Sequence, residues 1–253
     1  MKKTKITLLF LFAAVFFISC NKSNDNTDKK SSAEPQQQST KAAKSETIAS
    51  VILYDGTPLY VENEEGKMIY ADEALSGDII RIYMDKNSIE QKEAIRHLNS
   101  GKEDTFNFVH VSYFNNDFWT RDIFITNDAA VTPGLITSDS IIYSSADGTA
   151  ATSKKVEEGT IVAVNESSKT VDSDLDIEFI EVTYYNGAAF GKTVFVKSDS
   201  VSSNKADILA LQTLKKIDGI ENLNPDVSKE LADSLDKLPV SPFVANKIIS
   251  AGL

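Results

Sequence analysis

Cysteine and histidine are scarce in this sequence, and their scarcity excludes several kinds of site. Among 253 residues there is one cysteine, Cys20, and there are two histidines, His97 and His110. A single cysteine excludes an intrachain disulfide and a four-cysteine metal cage. His110 stands between Val109 and Val111, so on a strand it lies on the opposite face from these apolar neighbours. The sequence also contains no Gly-x-Ser-x-Gly elbow, P-loop or His-Glu-x-x-His helix, and we therefore predict that the protein is not an enzyme.

Positive charge is also in short supply. The chain has 26 lysine and arginine residues against 37 aspartate and glutamate residues, a formal net charge of -11. A surface of this sign repels phosphate groups, which argues against nucleic acid as a partner. Asp172, Asp174 and Asp176 have the spacing with which a calcium loop begins, but Ile177 and Thr183 stand where such a loop has glycine and glutamate. We interpret these carboxylates as the solvated face of a strand, and we predict no metal and no cofactor.

No apolar segment is long enough to cross a bilayer as a helix. The most apolar one, Ile6–Ile18, has 13 residues, whereas a spanning helix needs about 20. It follows three lysines within the first five residues. A basic start followed by a short apolar segment is typical of a signal peptide.

The apolar segment ends in Phe17-Ile18-Ser19-Cys20. This ending resembles the lipobox of bacterial lipoproteins, in which an apolar and a small residue precede an invariant cysteine. The resemblance implies cleavage after Ser19, a thioether-linked lipid on Cys20 and acylation of the new amino terminus, and several acyl chains on one residue give stable anchoring. We therefore expect residues 1–19 to be a lipoprotein signal peptide and Cys20 to attach the protein to a bacterial membrane, in the periplasm or at the cell surface. An ordinary signal peptide followed by a free cysteine is the alternative.

Residues 20–46 contain almost no large apolar side chain. Such a composition buries too little surface to offset the entropy lost on ordering, so this segment is predicted to be a disordered tether. A tether behind a lipid anchor holds the folded part of the protein away from the membrane.

The region after the tether repeats itself. Phe106–Tyr113 returns as Ile177–Tyr184 at an offset of 71 residues, with most apolar positions matched and the polar ones changed. This spacing predicts two copies of one strand pattern. Further matches are Asp122–Ile125 with Thr193–Val196 at the same offset of 71, Leu53 and Tyr60 with Ile136 and Tyr143 at an offset of 83, and Ala74–Ile82 with Val156–Val164 at an offset of 82.

Two irregularities interrupt this pattern. Phe106 and Phe108 have one parity while Val109 and Val111 have the other, and the second copy changes parity at the equivalent place. A strict strand cannot bury both sets on one face, so we predict a bulge or sharp bend near Phe108-Val109. The first copy also has an insertion at residues 84–105, which suits either a short helix or a long hairpin; we favour the hairpin.

The closing segments of both copies resemble bacterial Src-homology-3-like (SH3-like) modules. Their common features are an apolar residue–x–Gly–polar step into a strand and a closing Gly-Lys-Thr followed by an aromatic residue and valine. The second copy matches through Val156–Val164 and Gly191–Val201, and the first through Leu75–Ile82 and Phe124–Val131, although Arg121-Asp122 stands where Gly-Lys would fall. The resemblance implies a mainly β protein with two tandem SH3-like barrels, at residues 47–131 and 132–202. Such modules often accompany papain-like cell-wall peptidases, which need a catalytic cysteine.

From residue 203 to residue 253 the apolar period lengthens to three or four residues. Ile208, Leu211 and Leu214 share one stripe, and Asn224-Pro225 and Ser241-Pro242 are helix-start signals. We predict a small α-helical region of two or three amphipathic helices. They either pack on the second barrel and on each other, which we favour, or present a face to a partner protein.

Aromatic side chains at hairpins and strand ends are the candidate binding residues. Aromatic grooves on small barrels hold extended peptides. We expect a non-catalytic binding or adaptor lipoprotein whose partner is cell-wall peptide (peptidoglycan) or an envelope protein; the alternatives are a surface-exposed adhesin or antigen and, more remotely, an unrecognised hydrolase. The candidate groove residues are Tyr54, Tyr60, Tyr113, Trp119, Tyr143, Tyr184, Tyr185 and Phe190.

Overall fold

The computed structural model describes residues 46–97, 103–218 and 225–251. Within these ranges the protein is mainly β, with two sheets followed by helices near the C-terminal end. The predicted fold class is confirmed at this level. The predicted signal peptide, Cys20 and the tether as far as residue 45 lie outside the described residues.

The first sheet has eight strands, with β5 paired only to β4. Its hydrogen-bonded order is β1-β4-β7-β6-β3-β2-β8, and β8 also pairs with β7. The strands are β1 (Thr47–Val51), β2 (Thr57–Glu62), β3 (Met68–Ala74), β4 (Ile79–Asp85), β5 (Ser88–Ile89), β6 (Gln91–His97), β7 (Glu103–Tyr113) and β8 (Asn116–Arg121).

The second sheet has seven strands in the order β11-β10-β14-β13-β12-β9-β15. A short 3-10 helix, Ser198–Ser200, precedes its last strand, just as Asp122–Phe124 follows β8 in the first sheet. The strands are β9 (Thr132–Ile136), β10 (Ser140–Tyr143), β11 (Ala151–Val156), β12 (Ile161–Asp172), β13 (Ile177–Tyr184), β14 (Lys192–Lys197) and β15 (Val201–Ser202).

The two sheets share one strand order. The path β1-β4-β7-β8-β2-β3 corresponds, strand for strand, to β9-β12-β13-β14-β10-β11. A single residue pair, Tyr60↔Trp119, joins β2 to β8, and a single pair, Tyr143↔Phe195, likewise joins β10 to β14. The predicted match of Tyr60 with Tyr143 is therefore confirmed.

Two glycines fix the start of the equivalent strands β4 and β12. Gly77 and Gly159 have φ angles of +86° and +82°, a region that residues with a Cβ rarely adopt. Their amides donate hydrogen bonds of 2.8 Å to the carbonyl oxygens of Ile52 and Ile136, respectively. Ile52 is therefore the counterpart of Ile136, and the predicted match of Leu53 with Ile136 is wrong by one residue.

The offset between the copies is not constant after β7 and β13. Val111 pairs with Phe118, and its counterpart Val182 pairs with Val194. The offset grows by five residues because the β7–β8 turn has two residues, 114–115, while the β13–β14 loop has seven, 185–191. The predicted match of Asp122–Ile125 with Thr193–Val196 is therefore wrong: the former begins with a 3-10 helix and the latter lies in β14.

The insertion in the first copy forms strands. β6 and β7 pair antiparallel from Gln91↔Val109 to His97↔Glu103. The favoured hairpin is confirmed and the helix is wrong. Its tip, residues 98–102, lies outside the described residues. β6 also pairs in parallel with β3 at Met68↔Arg96, which closes β2, β3, β6, β7 and β8 into a ring.

The parity change at Phe108-Val109, for which we predicted a bulge or sharp bend, has another origin. β7 pairs with β8 in unbroken register, and Phe108 and Val109 are both 0% exposed because each face of the strand is covered. The residues that break the regular pairing lie in the neighbouring strand, which in the second sheet is β12. The register of β12 against β13 shifts between Asn165 and Thr170.

The same irregularity is larger in the first sheet. β4 pairs with β7 only at Arg81 and Ile82, and β6 becomes the neighbour of β7 from Gln91 onward. Between them the chain folds back on itself as the small β4–β5 hairpin. This hairpin stands where β12 has its bulge, so the insertion enlarges an irregularity that both sheets share.

Each sheet encloses its own apolar core. Ile82, Val109 and Val111 are completely buried in the first, and Val162, Val164 and Val182 in the second. Fully burying a side chain of this kind stabilises a protein by about 1.5–3 kcal/mol. The ring formed by the insertion adds a separate small core around Tyr60, Met68, Ala94 and Phe108.

Three helices follow the second sheet: α1 (Lys205–Asp218), α2 (Pro225–Leu235) and α3 (Pro242–Ser250). Ser241 caps α3 by accepting a hydrogen bond from the amide of Val244, with Pro242 in the first turn. Apolar side chains of all three helices form one core with Leu135 and Ile161 of the second sheet, as the favoured packing predicted. In the described ranges, no helix combines the length and the apolar character needed to span a membrane.

Candidate functional site

An aromatic cluster lies where the two sheets meet. The ring centroid of Tyr54 is 5.3 Å from that of Phe124 and 4.5 Å from that of Tyr185. Phe124 and Tyr185 are 5.9 Å apart. Tyr54 follows β1, Phe124 ends a 3-10 helix of the first copy, and Tyr185 begins the β13–β14 loop of the second. Aromatic contacts of this kind contribute about 0.5–1.5 kcal/mol each beyond the surface that they bury, so they stabilise the junction.

The main chain also crosses this junction. The amide of Phe190 donates a hydrogen bond of 2.8 Å to the carbonyl oxygen of Asp122. Burial raises the pKa of the Asp122 carboxyl above its ordinary value, against the smaller effects of main-chain hydrogen bonds and Arg121.

The junction also has an apolar part. Tyr185 packs against a buried apolar cluster of Val51, Leu53 and Ala163.

A cleft of about 390 Å³ opens beside the aromatic cluster. Tyr54 and Tyr185 provide its aromatic wall, Asp55, Glu157 and Glu158 its acidic rim, and Lys215 of α1 its third side. Tyr54 is 43% exposed although its ring packs against two others. The cleft is open and not enclosed, so a segment can lie along it.

Two contacts fix the carboxylate of Asp55 in the cleft. Its carboxylate pairs with the Nζ atom of Lys215 and accepts a hydrogen bond of 3.1 Å from the amide of Ser76. Burial alone would raise the pKa of Asp55, but the hydrogen bonds from Lys215 and Ser76 outweigh it and hold the pKa below its ordinary value. Asp55 is therefore ionised at neutral pH, and with Glu157 and Glu158 it leaves the rim with more negative than positive charge.

Helix α1 is fastened to the first sheet behind this rim. Nε2 of Gln212 donates hydrogen bonds of 2.9 Å to the carbonyl oxygen of Ser76 and to Oδ1 of Asp78. The phenol of Tyr113 donates to the other oxygen of Asp78 at 2.7 Å. Burial, and then the hydrogen bond to Asp78, raise the pKa of Tyr113 above its ordinary value. Tyr113, a predicted ligand-binding residue, therefore anchors Asp78.

The structure places the other predicted aromatic residues in different surroundings. Tyr60 and Tyr143 are 3% and 5% exposed and pack edge-on against Phe108 and Phe179, so they belong to the cores. Tyr184 packs against the core of the second sheet, and Phe190 against that of the first. Of the eight candidates, only Tyr54 and Tyr185 line the cleft.

Trp119 belongs to a second cluster on the first sheet. Its ring stacks on His110 at 4.6 Å, and His110 also lies 4.3 Å from Tyr83. The Nζ atom of Lys92 lies 4.0 Å above the tryptophan ring. Nδ1 of His110 is 3.0 Å from Oε2 of Glu90, although hydrogen-bond geometry is not met there. His97 ends β6.

Asp172, the first of the three aspartates with calcium-loop spacing, is held by main-chain amides. Oδ1 of Asp172 accepts hydrogen bonds from the amides of Asp174 and Leu175, and Oδ2 accepts one from the amide of Gly148. These contacts are those of a turn that uses an aspartate side chain. Within residues 46–97, 103–218 and 225–251, no group of three or more histidine, cysteine or acidic side chains is arranged to hold a metal.

Sequence reasoning missed most of the cleft. In the sequence, Asp55-Gly56 is a turn signal and Glu157-Glu158 lies in the step into β12, and neither pattern points to a binding site. Lys215 comes from a helix 160 positions along the chain from Asp55. Phe124 falls in the segment Phe124–Val131, which in the sequence resembles only the end of an SH3-like module. No local pattern links these residues, because their proximity depends on how the two sheets and α1 pack.

Comparisons with known proteins find little similarity. No protein-family model and no curated protein matches the sequence. The structure of NlpC1 from Trichomonas vaginalis is similar at 14% identity and a TM-score of 0.21, over 70% of this chain and 56% of that one. NlpC2 from the same organism gives 13% identity and a TM-score of 0.21, over 69% and 57%. The chain thus spans less than two thirds of either protein, and at these TM-scores the likeness has no bearing on fold or activity.

Proposed function

We propose that the protein is a lipid-anchored, non-catalytic binding protein of the bacterial cell envelope, built from two SH3-like modules that hold an extended peptide. Support for the two modules comes from the shared strand order and from the equivalent hydrogen bonds of Gly77 and Gly159. A 3-10 helix in the same place in both copies adds to this support. The anchor is proposed from the lipobox that ends at Cys20.

The cleft at the junction is the proposed binding site. Its exposed tyrosine wall carries the proposal, because Tyr54 stays 43% exposed beside a cleft of about 390 Å³. Tyrosine provides rigid apolar contact area together with a polar tip, which suits a peptide backbone. The net negative charge of the rim favours a peptide that carries an amino group. Such a peptide is found either in the cell wall or in an envelope protein.

Co-sedimentation with purified cell-wall sacculi tests the cell-wall source. The full chain is compared with the double variant Y54A/Y185A and with Y70A, which removes an exposed tyrosine of β3 (57% exposed) outside the cleft. Losing two aromatic contacts in one site should weaken binding by roughly tenfold or more. Y70A should bind as the unmodified protein does.

A cross-linking pull-down from intact cells tests the envelope-protein source with the same three proteins. We expect one of the two assays to show a ligand that the unmodified chain and Y70A bind and that Y54A/Y185A loses. The proposal is wrong if the unmodified chain binds neither sacculi nor any envelope protein. It is also wrong if the double variant, still folded by circular dichroism, binds as well as Y70A.

A further inference from the structure

Two arginines converge on one aromatic ring of the first sheet. The Cζ atom of Arg121 lies 4.0 Å from the ring centroid of Phe106, and that of Arg96 lies 4.9 Å from the same centroid. Arg96 is on β6 and Arg121 on β8, the two strands that flank β7. Their side chains point to the same face of the sheet as Phe106. Two positive charges are thus gathered within one small region of a protein whose net charge is -11.

Neither guanidinium has an ion-pair partner within the described ranges, although Asp104 is the cross-strand neighbour of Arg96 and the carboxylate of Asp122 acts to raise the pKa of Arg121. The lysines of the same sheet are paired: Lys67 with Glu65 and Glu103, and Lys92 with Glu62. Arg96 and Arg121 make no ion pair with any described residue, and their buried Nε atoms have no hydrogen-bond partner there. Both arginines are partly exposed, so part of each side chain is open to a ligand.

The pair also repels itself. Burial, and then the positive charge of Arg96, lower the pKa of Arg121 below its ordinary value. An anion bound between the two guanidiniums would remove this repulsion and satisfy their donors, because the planar fork of arginine matches a carboxylate or phosphate in bidentate geometry.

The surface beside the pair is aromatic. Cross-strand pairing puts Trp119 opposite His110 on the same face of the sheet, and Trp119 comes two residues before Arg121 on β8. Trp119 and His110 stack at 4.6 Å and are partly exposed. This surface can contact the apolar or planar body of a ligand whose anionic end reaches the arginines.

We propose that Arg96 and Arg121, on either side of Phe106, form a binding site for a carboxylate, with Trp119 beside it to contact the body of the ligand. This site is distinct from the cleft at Tyr54 and Tyr185. The overall charge of -11 repels a dianion more strongly than a monoanion, and this difference favours a carboxylate over a phosphate. The carboxylate comes from a small acid or from the end of a peptide.

The test uses the full chain and two pairs of probes. In each pair, one member carries a carboxylate and the other carries an amide in its place. N-acetylphenylalanine carries a carboxylate, and N-acetylphenylalaninamide is its uncharged counterpart. Trp119 is the one tryptophan of the sequence, so its fluorescence reports on this site alone. We expect a saturable fluorescence change with the acid and none with the amide. A dipeptide with a free carboxyl end and its amidated form distinguish a peptide source from a small acid.

The arginine side chains provide a second readout that needs no variant. The sequence has three arginines, Arg81, Arg96 and Arg121. In a nitrogen-15 spectrum, we expect the Nε–Hε signals of Arg96 and Arg121 to shift with the acid, while that of Arg81, which is exposed on β4, stays unchanged. Loss of one charge-assisted contact should weaken binding roughly tenfold in R96Q or R121Q. R81Q makes the same charge change as a control.

Several results would overturn the proposal. They are an equal response to the acid and the amide, no response to either, and an equal loss of affinity in R81Q and R96Q. A stronger response to phenyl phosphate than to N-acetylphenylalanine would overturn the choice of carboxylate. Where R96Q or R121Q unfolds, the nitrogen-15 titration of the unmodified chain decides.

Discussion

The amide nitrogen of Phe190 lies 2.8 Å from the carbonyl oxygen of Asp122, and this main-chain hydrogen bond joins the two sheets. Phe190 lies in the β13–β14 loop, which has seven residues where the β7–β8 turn of the first copy has two. The loop therefore does more than connect β13 to β14: it brings Tyr185 to Tyr54 and creates the aromatic wall of the cleft.

Replacing Gly191, the residue after Phe190, should destabilise the junction. A Cβ there would lie 2.5 Å from Cδ1 of Leu53 and 2.8 Å from Cγ2 of Thr183, and the φ angle is +77°. We expect G191A to lower the free energy of unfolding by about 2–4 kcal/mol, from backbone strain and overpacking together. Denaturant unfolding measures the change.

Gly187 in the same loop is the matched control. Its φ angle is +82°, but nothing lies within 4 Å of a Cβ built on it. G187A should therefore show only the backbone strain, about 1 kcal/mol. Equal losses in the two variants would contradict the close approach of Leu53 to this loop.

The Asp55–Lys215 pair predicts a pH dependence of stability. The pKa of Asp55 is lowered below its ordinary value of 3.8 in the folded state, so its contribution is fully present above that value and is lost as the pH falls through the folded pKa. At pH 7 we expect D55N to be less stable than the unmodified protein by about 0.5–1 kcal/mol, because the carboxylate is partly exposed. Thermal unfolding between pH 7 and pH 3 measures this difference.

The difference between D55N and the unmodified protein should shrink as the pH falls below about 4, since the wild-type carboxyl then becomes neutral as well. D85N, at an exposed position at the end of β4, should show no such trend. A difference that is constant from pH 7 to pH 3, or that grows on acidification, would contradict the ion pair.

The proposed anchor makes a prediction about mass and membrane attachment. Membrane-fraction protein should begin at Cys20 and be heavier than that polypeptide by the mass of its acyl groups, as measured by intact-protein mass spectrometry. C20S should be neither cleaved after Ser19 nor lipidated, and it should leave the detergent phase on phase separation, whereas N21S should behave as the unmodified protein does. Protein with an unmodified Cys20 in the membrane fraction would contradict the lipobox interpretation.

The sequence carries the repeat because strand-forming apolar residues keep their spacing, and so Tyr60 matches Tyr143 in the structure. The comparison loses its register at loops: the longer β13–β14 loop shifts the match, and Asp122 corresponds to the 3-10 helix before β15 instead of to Thr193. Insertions in loops cost little free energy, so a single offset cannot hold across a whole module.

Aromatic residues are the harder part to predict. The positions of Tyr60 and Tyr54 in the sequence look alike, yet one lies in a core and the other on the wall of a cleft. The parity change at Phe108 and Val109 did indicate a real irregularity, but the residues that produce it are on neighbouring strands. Both outcomes depend on pairing between distant segments, which local patterns do not specify.

Photo-cross-linking in living cells tests whether the cleft beside Tyr54 holds a peptide. A photoreactive phenylalanine analogue replaces Tyr54 in the wall of the cleft, or Tyr70 on the exposed face of β3 as a control. We expect covalent adducts that contain peptide, from the cell wall or from an envelope protein, at position 54 and not at position 70. Adducts of equal amount at both positions, or none at position 54 in cells where the protein is folded and anchored, would contradict it.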